Sequence, residues 1–178
     1  QDRPRLFDLD IQKPEPLFAT VIEIDERVDA NGVVLKALDE EAVREQLRAL
    51  RGGQWSVVSG QLQNAQPNQA TDNGQRTTNN SPIDSLASCL LHSFSNPEHE
   101  QIVERIAREV GFTEISVSSR LAPLIKIVSR GDTTVMDAYL NPILRKYVGS
   151  LKSQISNPAS TLKLMTSAGG LIDADRFV

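Results

Sequence analysis

The stretch SRGDTTVMDAYLNP, residues 129–142, sets two adjacent hydroxyls, Thr133 and Thr134, close before a carboxylate, Asp137. Where a turn enters a helix, such residues suit an anion, because the first amides of a helix lack partners and hydroxyls add donors. Asp137, one turn further, could hold a metal or orient a water. The plainer alternative is that Asp132 or Thr133 only caps the helix, and spacing alone favours it. TSAGG, residues 166–170, is the second candidate. Gly169 and Gly170 can turn backbone amides toward a phosphate with no Cβ in the way. No Lys-Ser/Thr pair follows and the run is not GxGxxG, so an ordinary hairpin turn is the simpler account.

Two further groupings carry less. Cys89 and His92 have the types of a thiol–imidazole pair, but residues three apart on a strand point to opposite faces. Cys89 also sits in an apolar run, where a free thiol behaves as a small hydrophobe. His99 and Glu100 lack the HExxH spacing and stand at a helix start, where the dipole disfavours a cation. No residue is therefore assigned to a metal. The triplet Arg130-Gly131-Asp132 is short enough to arise by chance.

The elements that must position these groups can be read from patterning. Residues 1–18 hold three prolines and read as an extended lead-in. ATVIEIDERV (19–28) alternates as a strand, DANG (29–32) turns, and VVLKAL (33–38) returns, which makes a β-hairpin. Asp39 caps a helix that carries Val43, Leu47 and Leu50 and ends near Gly52. WSVVSGQL (55–62) can form a strand. The following residues 63–82 have no large aliphatic or aromatic side chain and cannot offset their ordering entropy; the flexible polar insertion is set at 59–82. DSLASCLLHSF (84–94) reads as a buried strand. A helix follows, with Asn96 as cap, Pro97 at its first position and Gly111 as its stop. EISVSS (114–119) is the next strand, so strand, helix and strand span roughly 35 residues, the size of a βαβ unit. Residues 123–155 read as a strand-like run, a turn at Arg130–Gly131 and a long helix with Pro142 inside it. In that helix Val135, Ala138, Tyr139, Ile143, Tyr147 and Leu151 form the apolar stripe. TLKLMTSAGGLID closes as strand, loop, strand. The class is α/β, with a preceding β-hairpin.

The 178 residues suffice for one domain or one domain and part of another. The net charge of −4, with no basic block, argues against a nucleic-acid partner. No apolar run reaches the ~18 residues of a membrane span, and the single cysteine excludes an internal disulfide. A cytoplasmic protein is the simplest reading. The chain opens on QDRPRLFDLD without a Met and stops at LIDADRFV, which reads as an internal piece of something longer.

Seven stretches, in order, carry a resemblance: RPRLFDLDIQKPEPL, VIEIDERVDANG, LLHSFSNPEHE, REVGF, ISVSSRLAP, RGDTTVMDAYLNP and LMTSAGGL. Together they resemble the hydantoinase A / 5-oxoprolinase family, with Asp137 before Ala-Tyr-Leu closer to the 5-oxoprolinase branch. The resemblance covers nearly the whole chain except the insertion. It implies part of an actin/sugar-kinase-like ATPase fold. Residues 1–128 would be the later part of the N-terminal domain, and 129–178 the opening of the hydantoinase A domain.

The resemblance also implies an ATP-dependent hydrolase that opens a cyclic amide, either 5-oxoproline to glutamate or a hydantoin. Phosphorylating the unstrained lactam's carbonyl oxygen makes it an electrophile that water can attack, and phosphate then leaves. ATP and Mg²⁺ would serve the full-length parent, with none expected on this piece alone, because the family's phosphate-loop motifs are absent here. On the same resemblance Ser167, Gly169 and Gly170 would face phosphate, and Thr133, Thr134 and Asp137 would lie near the cleft in catalytic roles. The implied partners are the small cyclic amide, the remainder of the parent chain and a hydantoinase B-type subunit or domain. The alternative from another class is a non-catalytic folding or interaction domain, in which the glycines are only turns.

Overall fold

The computed structural model describes residues 16–53, 57–58, 61–62, 83–155, 161–165 and 169–174. The lead-in at 1–15, Ser167 and the insertion at 59–82 (apart from 61–62) lie outside them.

The hairpin is built around Asp29. Its carboxylate accepts the amides of Asn31 (2.9 Å) and Val33 (2.8 Å), and Gly32 completes the turn at φ +85°. Residue types other than glycine rarely adopt that φ. The turn joins β1 (Arg27–Val28) to β2 (Val34–Lys36), which are antiparallel. The long strand expected over 19–28 shortens to its last two residues. No described strand flanks residues 19–26, and an unpaired extended segment is not a ladder. Ile22 and Ile24 pack instead against the core.

Helix α1 (Glu40–Arg51) starts where expected. Asp39 accepts the amides of Glu41 (3.0 Å) and Ala42 (3.1 Å). Such a cap contributes about 1 kcal/mol. Val43, Leu47 and Leu50 make one buried face. The run at 55–62 folds as two short antiparallel strands, β3 (Val57–Val58) and β4 (Gln61–Leu62), rather than one.

A βαβ unit follows, as the patterning predicts. β5 (Ser85–Ser88) and β6 (Glu114–Val117) pair in parallel, joined by α2 (Glu98–Val110). Asn96 accepts the Glu98 amide (3.0 Å), and Pro97 is already αR at the helix entry. At the other end Gly111 turns left-handed at φ +102°, which lets Phe112 bond back to the Ala107 carbonyl. That closes a Schellman cap. The alternation of β6 covers both of its faces. Ile115 joins the core formed by α1, α2 and Phe112, while Ser116 meets the next long helix.

After β6 the chain enters a single-turn helix, α3 (Ser118–Leu121), where strand was expected through Ser119. The larger correction is α4 (Ile127–Gln154), an uninterrupted helix of 28 residues. It runs through the turn expected at Arg130–Gly131 and through Pro142. Gly131 is helical here, because the buried side chain of Arg130 anchors this turn of helix to the loop after β5. Position 128/129, where a domain boundary was expected, lies inside α4. Only part of the expected stripe is buried: Ala138 is, whereas Tyr139, Ile143 and Tyr147 are exposed.

The chain closes in the expected hairpin, β7 (Lys163–Met165) with β8 (Leu171–Asp173), in register Leu164↔Ile172. No helix among the described residues is long and apolar enough to cross a membrane.

Candidate functional site

The parallel strands β5 and β6 end side by side, and the chain leaving each meets a set of buried polar groups. At the centre is Glu100 on α2, with no exposed surface. One carboxylate oxygen accepts the Leu90 amide (2.8 Å) and the Ser118 hydroxyl (2.7 Å); the other accepts the Ser119 amide (2.9 Å). Arg130 on α4 is equally buried. It donates to the carbonyls of Leu90, Leu91 (3.0 Å) and Leu124 (2.8 Å), and its guanidinium lies 5.7 Å from the Phe94 ring centroid. Ser93 joins them, donating to the Leu90 carbonyl (3.0 Å).

The turn between β5 and α2 uses its other polar residues to hold the β1–β2 hairpin. His92 donates from Nδ1 to the Val28 carbonyl (2.6 Å). Asn96 donates to the Gly32 carbonyl (2.9 Å), and His99 Nδ1 lies 2.6 Å from a Glu26 carboxylate oxygen. LHSFSNPEHE is thus a hub: His92, Asn96 and His99 hold residues 26–32, and Glu100 holds Leu90, Ser118 and Ser119. On the α2 surface Glu104 receives Arg108 (2.7 Å) and Arg120 (3.0 Å). Burial pushes its carboxyl up, but these two cations outweigh that and hold it below the ordinary 4.5.

The sequence-predicted residues fall into separate places. Thr133 and Thr134 sit inside α4, not at its start, with hydroxyls bonded back to the carbonyls of Ser129 (2.9 Å) and Arg130 (2.7 Å). Thr134 is fully buried. Neither stands among the open amides of a helix entry, so the anion cradle inferred from a turn at Arg130–Gly131 is not formed. Asp137 accepts Ser116 (2.7 Å) and Asn141 (3.0 Å) on one oxygen, which joins α4 to β6. Gly169, at φ +82°, is exposed and would meet nothing within 4 Å if given a Cβ; Gly170 is exposed beside it. Cys89 and His92 do not pair, since the thiol approaches the Ile127 carbonyl (3.9 Å) and the imidazole is engaged at Val28. Among the described residues no group of three or more His, Cys, Asp or Glu could hold a metal.

These residues do not fit a nucleotide with its Mg²⁺. The hydroxyl protons of Thr133 and Thr134 and one oxygen of Asp137 are engaged by protein partners. A cavity of about 480 Å³ lies beside β5, walled by residues 17–22, Ile24, Leu86, Val135 and Tyr139. Its apolar walls do not suit a polyphosphate.

The βαβ core with α4 across its second face is a mixed α/β arrangement. It is similar in fold to a nucleotide-free structure of acetone carboxylase from work on ATP-dependent acetone carboxylation. The TM-score is 0.56 at 22% identity, over 85% of this chain and 18% of that one. Two regions match family models: residues 1–59 the hydantoinase/oxoprolinase N-terminal region, and residues 130–178 hydantoinase/oxoprolinase. The chain belongs to the hydantoinase/oxoprolinase family. It is 36% identical to a 5-oxoprolinase of Saccharomyces cerevisiae over 99% of its own length, and 34% identical to 5-oxoprolinase 1 of Arabidopsis thaliana over the same share. It spans 14% and 13% of those two proteins.

Sequence reasoning missed Glu100 and Arg130. A signal was present: Glu100 shares a helical face with Val103 and Ala107, and Arg130 with Thr134 and Ala138. A charge in line with buried residues at three- and four-residue steps points inward.

Proposed function

We propose that this chain is part of an ATP-dependent hydrolase that opens a cyclic amide, with 5-oxoproline as substrate, through phosphorylation of the ring carbonyl. The observation that carries the reading is the 36% identity to the yeast 5-oxoprolinase along 99% of this chain. The β5–α2–β6 unit is then one piece of an actin/sugar-kinase-like ATPase domain. Parallel strands with helices on both faces are the architecture such a domain needs, and ligands of open α/β sheets bind beyond the carboxyl ends of the strands.

Gly169 and Gly170 supply a phosphate-facing turn in this reading, with Ser167 beside them in sequence. Asp137 ties α4 to β6 and the two threonines bond back within α4, so in this reading none of the three touches the reacting groups. ATP and Mg²⁺ are held chiefly by the remainder of the polypeptide, which works in the cytoplasm with a hydantoinase B-type subunit or domain. The isolated chain neither binds ATP tightly nor turns over. Calorimetry tests the last point: micromolar ATP affinity for the 178 residues alone would sink it. The reaction itself is tested with the complete polypeptide by offering 5-oxoproline, hydantoin and acetone separately with ATP. Phosphate release stimulated by 5-oxoproline supports the proposal. Stimulation by acetone or hydantoin alone would reassign the substrate, and none by any of them would favour a non-catalytic role.

A further inference from the structure

Two buried charges converge on one residue. Glu100 accepts the Leu90 amide, and Arg130 donates to the Leu90 carbonyl. Leu90 lies just beyond β5. The other groups on Glu100, Ser118 and Ser119, come immediately after β6. A single carboxylate therefore ties together the chain leaving both parallel strands, and Arg130 closes on the same loop from the opposite helix. A buried charge is costly to maintain and persists where its partners fix one geometry. The loops it fixes are those at the carboxyl edge of the sheet, where α/β proteins hold their ligands.

We infer that Glu100 is a positioning residue for the reaction: its carboxylate sets the loop at Leu90 and the start of α3 at Ser118–Ser119 in the form that receives substrate. This rests on the function proposed above. Glu100 is placed to do so by bonding geometry. Both its oxygens accept, and all three donors to them lie directly after the two strands, Leu90 after β5 and Ser118 and Ser119 at the start of α3. Glutamine at this position keeps the shape but turns one oxygen into a donor, which in either orientation faces a backbone amide, of Leu90 or of Ser119, that can no longer bond to it.

The experiment uses the complete polypeptide with Glu100→Gln and Ser118→Ala, which removes one of the three bonds. Amide hydrogen exchange is read at Leu90 and Ser119, with the α1 amides as reference, and kcat and KM are read for ATP-dependent opening of 5-oxoproline. Expected for Glu100→Gln is exchange at least tenfold faster at Leu90 and Ser119, unchanged exchange in α1, and a tenfold or greater fall in kcat with KM within about threefold. Ser118→Ala shifts the same quantities in the same direction by less. A folded Glu100→Gln with wild-type kcat, or with unchanged local exchange, overturns the inference. If Glu100→Gln does not fold, unchanged exchange and kcat in Ser118→Ala overturn it. If the wild-type polypeptide opens no cyclic amide, the functional reading fails separately, and the exchange arm, which needs no substrate, still upholds or overturns the clamp.

Discussion

Replacing Arg130 by lysine is predicted to harm the fold at least as much as replacing it by methionine. Arg130 is fully buried and satisfies carbonyls on two loops, at Leu90–Leu91 and at Leu124. The planar guanidinium spans them because its donors point in several directions at once. A lysine ammonium is a compact point charge and cannot reach all three. Hydrogen bonds to a charged group are worth about 1.5–3 kcal/mol each. Losing one or two while a charge stays buried costs about 2–4 kcal/mol. Methionine removes every bond but also the charge. The Leu90 carbonyl then keeps the Ser93 hydroxyl at 3.0 Å, and Leu91 and Leu124 are more than half exposed, so water can reach their segments. The cost of Arg130→Met is about 1–3 kcal/mol. For a chain of this size each kcal/mol is about 2–4 °C in Tm, so Arg130→Lys should melt about 10 °C lower. Urea unfolding followed by circular dichroism measures both variants, with an unchanged m-value as the check on comparability. A lysine variant within about 0.5 kcal/mol of wild type would refute the reasoning.

Three further outcomes follow from the same contacts. Leu47→Ala, in the fully buried α1–α2 interface, should cost about 2–5 kcal/mol by urea titration. Thr134→Val should change stability by about 1 kcal/mol or less, because the Arg130 carbonyl already accepts a helical amide, and should leave turnover of the complete enzyme within about threefold; a hundredfold loss would return Thr134 to the chemistry. Glu104 lies below its ordinary 4.5, so it contributes stability that is present above 4.5 and lost as pH falls through its lowered value. Glu104→Gln should therefore flatten the loss of stability as pH falls below 4.5, and an unchanged slope would contradict the assignment.

Local signals carried much of the fold. Asp29 and Gly32 marked the hairpin turn, Asp39 the start of α1, and Asn96, Pro97 and Gly111 the limits of α2, because caps and turns act within a few residues. Where a distant partner decided, the local pattern misled. Arg130 and Gly131 looked like a turn, yet Arg130 is bonded to residues some 40 positions earlier and holds that segment helical. Asp137 looked like a free carboxylate before it met Ser116 of β6. Glu100 looked like a first-turn charge until β6 delivered Ser118 to it. Tyr139, Ile143 and Tyr147 kept helical spacing but stay exposed.

The central claim is tested most directly by incubating the complete polypeptide with ATP, Mg²⁺ and 5-oxoproline and measuring glutamate and inorganic phosphate together. One phosphate is expected for each glutamate, with no ring opening when ATP is left out. Ring opening without ATP, or ATP hydrolysis indifferent to 5-oxoproline, would contradict it.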